Sequence, residues 1–139
     1  PTTSVFSVSS SDYINKSGDT YVGYVFANLE GACKVGSYVG NGNADGPFVY
    51  TGHRVSWIMI KDTTSTNGWQ LHDNKRPGYN PAEQTVDANT TAAESNSNDL
   101  DILSNGFKVR NTYGTANASG STYIYLAFAE QPFKFANAQ

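Results

Sequence analysis

Short runs rich in Val, Tyr, Phe, Thr and Ile alternate along this chain with clusters of Gly, Asn, Ser, Asp and Pro. No stretch repeats its apolar positions at helical spacing. Cys33–Val39 alternates strictly, Val35, Ser37 and Val39 against Lys34, Gly36 and Tyr38, as a half-buried strand does. Gly40-Asn-Gly-Asn-Ala-Asp-Gly46 is a turn cluster of residues that tolerate positive φ. Phe48–Thr51 and Val55–Lys61 follow as predicted strands. The second holds the near-continuous apolar run Val55-Ser-Trp57-Ile58-Met59-Ile60, the mark of a central strand covered on both faces. Trp69–His72, Leu100–Leu103, Phe107–Arg110, Thr122–Phe128 and Phe133–Phe135 complete the predicted set, with Ser4–Ser9 and Thr20–Leu29 before it. Ser104-Asn-Gly106 between two apolar runs is a hairpin signal. Asp73–Pro81, with Pro77, Gly78 and Pro81, is predicted to be irregular. Ala82–Asn98 is the least determined stretch; within it only Ala92-Ala-Glu94 has the composition to begin a helical turn. Strands at this spacing predict an all-β fold, an antiparallel β-sandwich of jelly-roll or lectin-like kind.

The pattern also repeats. Asn15-Lys-Ser-Gly18-Asp-Thr20-Tyr21-Val22-Gly-Tyr-Val-Phe26-Ala27 returns as Asn117-Ala-Ser-Gly120-Ser-Thr122-Tyr123-Ile124-Tyr-Leu-Ala-Phe128-Ala129, an offset of 117 − 15 = 102 residues. Phe6-Ser-Val8 is set against Phe107-Lys-Val109 after a one-residue gap. A self-match at fixed offset signals tandem architecture. Residues 1–29 are thus expected to be the closing hairpin of a preceding module, packed on a sandwich module of residues 30–139. Because a lone hairpin is marginal in water, Thr20–Leu29 is expected to pair into the main sheet or a neighbouring subunit. Tyr21 and Tyr123 hold equivalent places, and both rings are expected to be buried. A chain that opens on Pro1 rather than Met is expected to be processed, excised or part of something longer.

At 139 residues the chain has the size of one domain with a real core. Its formal net charge is −3, and its nine Lys and Arg are scattered. A clustered basic face is needed to grip phosphates, so nucleic acid is not expected as a partner. No apolar run approaches the roughly 18–20 residues of a spanning helix, and no signal peptide is visible; membrane insertion is not expected. Cys33 stands alone and is predicted to be a small core residue. Without a disulfide framework the chain is expected to fold in a reducing cytosol.

Catalytic candidates are few. His53 and His72 lie nineteen positions apart with no Cys or second His beside either, which does not match zinc spacing; both are predicted to be solvated. No nucleophile elbow, phosphate loop or dinucleotide fingerprint is present. Asp99 and Asp101 share a face of one predicted strand, while Glu30, Glu83, Glu94 and Glu130 are isolated. A glycosidase needs a paired acid and base or nucleophile, and nothing marks one carboxyl as raised. Asn41-Gly-Asn43-Ala-Asp45-Gly46 imitates half a calcium loop, but Gly52 stands where the closing Glu is expected, so a plain turn is predicted. No catalytic residue, metal or cofactor is expected. Exposed aromatics beside amides suit a sugar better: Trp69, Tyr79 and Tyr113 accompany Asn74, Asn80 and Asn111. Trp57 is predicted to be core, and Trp69 divides evenly between core and surface.

Val35-Gly-Ser-Tyr-Val-Gly-Asn-Gly42, Asp45-Gly-Pro-Phe-Val-Tyr-Thr-Gly52 and Trp57-Ile-Met-Ile-Lys61 resemble a module of tailed-bacteriophage tail fibres and related virion proteins. So do Leu103-Ser-Asn-Gly-Phe-Lys-Val-Arg110 and Phe128-Ala-Glu-Gln-Pro-Phe-Lys134. The resemblance covers about residues 30–139 and brings no catalytic signature. It implies a non-enzymatic structural protein of the virion, assembled in the host cytoplasm among other virion proteins. It further implies a distal tail-fibre module, a homotrimer, and contact with a host-surface glycan receptor. A head-decorating shell protein is the alternative, and a polysaccharide hydrolase a third. Contact loops are expected at Asn41–Asp45, Thr63–Gly68, Asn74–Asn80 and Tyr113–Ala118, since loops carry variable recognition.

Overall fold

The computed structural model describes residues 4–76 and 80–131, without the side chains of 97–99. The expected strand at Phe133–Phe135 lies outside these residues. Among the described residues one short helix, α1 (Asp12–Asn15), precedes eight strands. They are β1 (Cys33–Val39), β2 (Phe48–Tyr50), β3 (Val55–Asp62), β4 (Trp69–Asp73), β5 (Ala82–Asp87), β6 (Ser95–Leu103), β7 (Gly106–Val109) and β8 (Thr122–Ala129). All pairings are antiparallel, in the order β1-β8-β3-β4-β5-β6-β7-β2. Strands β3 to β7 form a meander; β1 wraps back to β8 and β2 to β7, giving an almost barrel-shaped, all-β fold.

The sheet folds over a core whose inner face alternates as the pattern requires. Ile58 and Ile60 of β3 and Tyr123, Tyr125 and Ala127 of β8 face Leu100, Ile102, Phe107 and Val109 of β6 and β7. Phe107 holds the two halves together. Its ring meets Tyr38 edge-on at 5.9 Å and Tyr125 at 5.4 Å, while Tyr38 stacks on Tyr123 at 5.1 Å, within the range of favourable aromatic pairs. Gly106 closes the β6–β7 hairpin, and a Cβ there would collide with the backbone oxygen of Val49; the glycine lets β2 approach.

The continuous apolar run in β3 has a local cause. A bulge at Ser56 lets Val55 face Ala129 and Trp57 face Phe128, and the Ser56 hydroxyl donates to the Ala129 carbonyl at 3.2 Å. The extra residue shifts the alternation, so Val55, Ile58 and Ile60 are all buried while Trp57 turns outward. Trp57 therefore does not join the main core, as its type suggested. It is half-buried on the sheet's outer face, 5.6 Å from Phe128.

That outer face is apolar, and the opening segment lies across it. Phe26 meets Phe128 edge-on at 5.7 Å, and the Asn28 side chain accepts from the Val35 amide at 2.6 Å. The expected hairpin of residues 1–29 does not appear among the described residues. Thr20–Asn28 makes no ladder, and a single bridge joins Leu29 to Cys33. The physical reason lies in the repeat itself. The segment's counterparts, β7 and β8, do not pair with each other; β8 sits between β1 and β3. Tyr21 is likewise not buried: it is 44% exposed, whereas Tyr123 is fully buried.

The histidines also depart from expectation. His72 is fully buried and His53 nearly so. On β4 the polar residues Gln70 and His72 point inward, and Trp69 and Leu71 face the apolar outer side. Burial, with Arg76 nearby, pulls the His72 pKa down to about 4. Burial and Lys34 lower that of His53. Cys33 is buried and free as expected, and burial raises its thiol pKa.

Candidate functional site

Three of the four expected contact loops come together at one end of the fold. The chain leaves β1 at Val39, β3 at Asp62 and β7 at Val109 on this side, where Val39 pairs with Thr122 and Asp62 with Tyr123. Two buried polar side chains organise the loops from within.

Asn117 is the first. Fully buried, it accepts from the Asn41 amide at 2.8 Å. Its amide group donates to Asn41 Oδ1 at 3.1 Å, the Asn43 carbonyl at 2.8 Å and the Asn111 carbonyl at 2.7 Å. One side chain thereby ties the loop after β1 to the loop after β7. Asp62 is the second, and the only buried carboxylate among the described residues. It accepts from the Thr64 amide and hydroxyl, the Ser65 hydroxyl and the Asn67 amide group, at 2.8, 2.6, 2.7 and 3.3 Å. Burial raises its pKa, but these donors outweigh that and leave it below the usual carboxylate value. Asn67 also reaches across to the Gly114 carbonyl at 2.9 Å, joining the second loop to the third.

Above this framework stands Tyr113, a residue 58% exposed. Its amide donates to Asn111 Oδ1 at 2.9 Å, so Asn111, itself buried, shapes the turn that presents the ring. The other expected site residues lie elsewhere. Asn80 and Asn74 are at the opposite end. Asn80 exchanges two hydrogen bonds with the Ile102 backbone, at 2.7 and 2.8 Å; Asn74 donates to Glu130 at 2.9 Å. Trp69 lines an apolar groove of about 600 Å³ on the outer face, between Phe6, Tyr24 and Phe26 on one side and Val35, Met59 and Ile124 on the other. Tyr79 lies outside the described residues. The five described residues thus do not form one site; Asn111 and Tyr113 do act together.

The Asn41–Gly46 loop is built as a turn. Asn41 Oδ1 accepts from the Asn43 amide and Asn43 Oδ1 from the Asp45 amide, each at 2.9 Å. Lys108 engages the Asp45 carboxylate and lowers its pKa. Asn41, Asn43 and Asp45 each have an Oδ1 already engaged within the protein, and no group of three His, Cys, Asp or Glu suited to a metal occurs among the described residues. Added calcium is expected to leave the thermal midpoint unchanged; an upward shift beyond error would give the loop a cation. Of the Asp99–Asp101 pair, the Asp99 side chain lies outside the described residues. Asp101 itself is held by Arg110 at 3.3 Å.

Asp62 lies outside the expected site residues and loops, whereas Asn67 and Asn117 fall within expected contact loops without being singled out. Their signals were Asp followed by Thr, Thr and Ser, the composition of an Asx turn, and the return of Asn15 as Asn117 in the repeat.

A family model described as a domain of unknown function, DUF7483, matches residues 1–132. The chain belongs to this family. No curated protein and no solved structure matches it. The DUF7483 match takes in the opening segment as well as the eight-stranded fold, and so includes both copies of the repeated turn.

Proposed function

We propose that this DUF7483 chain is a non-enzymatic structural module of a bacteriophage virion, placed distally in a tail fibre. Its loop end contacts a host-surface glycan. The observation that carries this reading is the convergence of three loops on one end, braced internally by Asn117 and Asp62, with the Tyr113 ring left open to solvent. A rigid platform carrying an exposed aromatic offers a sugar an apolar face to stack on, with the Asn67 side chain held next to it through the Gly114 carbonyl. None of the three shifted carboxylates suits the general acid of a hydrolase. Asp45, Asp62 and Asp73 are all shifted downward, the opposite of a general acid. The resemblance to tail-fibre proteins adds the expectation of a cyclic homotrimer.

The decisive measurement is binding of purified chain to immobilised host-surface polysaccharide. Tyr113→Ala is expected to weaken it about tenfold or more, or about 1.4 kcal/mol, with an unchanged melting temperature. Equal binding by the variant removes Tyr113 from the site, and failure of the native chain to bind any host polysaccharide removes the receptor role. Release of reducing ends from the polysaccharide would make the chain an enzyme. A stable monomer at micromolar concentration, measured as intact mass in solution, would end the trimer.

A further inference from the structure

The repeated turn is the same structure twice. Tyr123 accepts from the Ala118 amide at 2.8 Å and donates to the Gly114 carbonyl at 2.7 Å. Tyr21 accepts from the Lys16 amide and donates to the Asp12 carbonyl, both at 2.9 Å. The Asn117 amide donates to the Tyr113 carbonyl and that of Ser121 to Ala118; the Asn15 amide donates to Ser11 and that of Asp19 to Lys16. Gly120 and Gly18 both adopt positive φ, 79° and 88°. Every one of these atoms is displaced by the same 102 residues.

What differs is the surroundings. Around Tyr123 the ring is covered by Tyr38 and by the loop that Asn117 holds. Around Tyr21 nothing equivalent is present among the described residues: Asn15 is exposed and makes none of the four side-chain bonds of Asn117 there. Val22 and Val25 are each 77% exposed and Tyr24 83%, although their counterparts Ile124, Ala127 and Leu126 lie in a strand flanked by β1 and β3. The opening segment thus has the folded turn of a module without the module.

We infer that residues 4–29 close a second, upstream module of this same fold in the same polypeptide. In that module Thr20–Ala27 is inserted as its β8, and Asn15 ties its Asn41–Asn43-like loop. A second copy of the present chain cannot fill this role, because its own loop is already saturated by its own Asn117 and its own β8 occupies the slot between β1 and β3. The partner loop lies 76 residues before its Asn in the described module. The loop that Asn15 needs therefore falls at 15 − 76 = −61, upstream of Pro1. The joint between modules is short and ordered: the Leu29 amide donates to Cys33 and the Ala32 amide to Leu29, so successive modules would follow one another at close spacing.

The test is amide hydrogen exchange on the encoded polypeptide, from its own start through Gln139, beside the 139-residue chain. Amides of Tyr21–Ala27 are expected to exchange about a hundredfold or more slowly in the long form than in the short one, approaching those of Tyr123–Ala129. Asn15→Ala is expected to lower the melting temperature of the long form and leave that of the short chain unchanged. Equal exchange in both forms overturns the inference, as does a polypeptide with no such module before Pro1. Protection already present in the short chain, rising with its concentration, also overturns it and assigns the segment to self-association.

Discussion

Tyr123→Ala is expected to lower the unfolding free energy by roughly 3–5 kcal/mol, the range for deleting a large buried aromatic. The ring is fully buried, stacks on Tyr38, and sits beneath Gly40, where an added Cβ would come within 3.0 Å of it. Its removal leaves a cavity that a strand held between two neighbours cannot collapse to fill. The hydroxyl has a separate share. Tyr123→Phe keeps the ring but strands the Ala118 amide and the Gly114 carbonyl, and is expected to cost about 1–3 kcal/mol. Urea unfolding followed by tryptophan fluorescence measures both. The internal comparison is Tyr21→Ala in the same chain, which removes the same two hydrogen bonds from an exposed ring and is expected to cost about 1 kcal/mol. A Tyr123→Ala loss no greater than that of Tyr21→Ala would show that the turn alone, not the buried ring, carries the stability. Loss of glycan binding with stability intact would make the repeat a recognition motif.

How far such outcomes were legible in the chain depends on where each residue's environment comes from. β1 runs over Cys33–Val39 as predicted, although Tyr38 rather than Val35 and Val39 faces the core, and β3, β7 and β8 depart by a residue or two. Each has its own apolar periodicity or a flanking turn signal. β5 and the first half of β6 had neither. Ala82-Glu-Gln-Thr-Val-Asp87 and Ser95-Asn-Ser-Asn98 are strands because each lies beside the other, with Gln84 facing Asn96 and Thr85 facing Ser95. The Thr85 and Ser95 hydroxyls are 3.0 Å apart. That support is tertiary, and propensity does not record it. β4 misleads for a related reason. Its inward pair is Gln70 and His72 and its outward pair Trp69 and Leu71, the reverse of an ordinary amphipathic strand, because the outer face has an apolar cover of its own. At the loop end the turns were legible from Asn, Gly and Ser. The loops holding Asn41 and Asn117 were legible as contact loops, but nothing in the sequence says that the two residues meet across 76 positions, so their bracing role was not.

The inward turn of His72 has a consequence in solution. The ring is fully buried, and burial together with Arg76 lowers its pKa from 6.5 to about 4; the Ala82 backbone hydrogen bond and Asp73 oppose this. The folded state therefore binds this proton more weakly than the unfolded chain does. Above pH 6.5 the ring is neutral in both states and its burial carries no protonation penalty. As pH falls below 6.5 the unfolded chain takes up a proton that the folded chain refuses until about pH 4, and stability drops throughout that window. The full loss is about 3 kcal/mol at about 1.4 kcal/mol per pH unit. His53, lowered by burial and Lys34, acts in the same direction as pH falls below 6.5. Asp62 and Asp73 have pKa values below 3.8, so the stability they contribute is lost only at lower pH. Urea midpoints at pH 7, 5.5 and 4.5 are thus expected to fall steadily in the native chain and much less in His72→Leu. A native midpoint that stays level from pH 7 to 4.5, or an NMR titration of His72 centred near 6.5, would show that the ring reaches water and that the inner face of β4 opens at neutral pH.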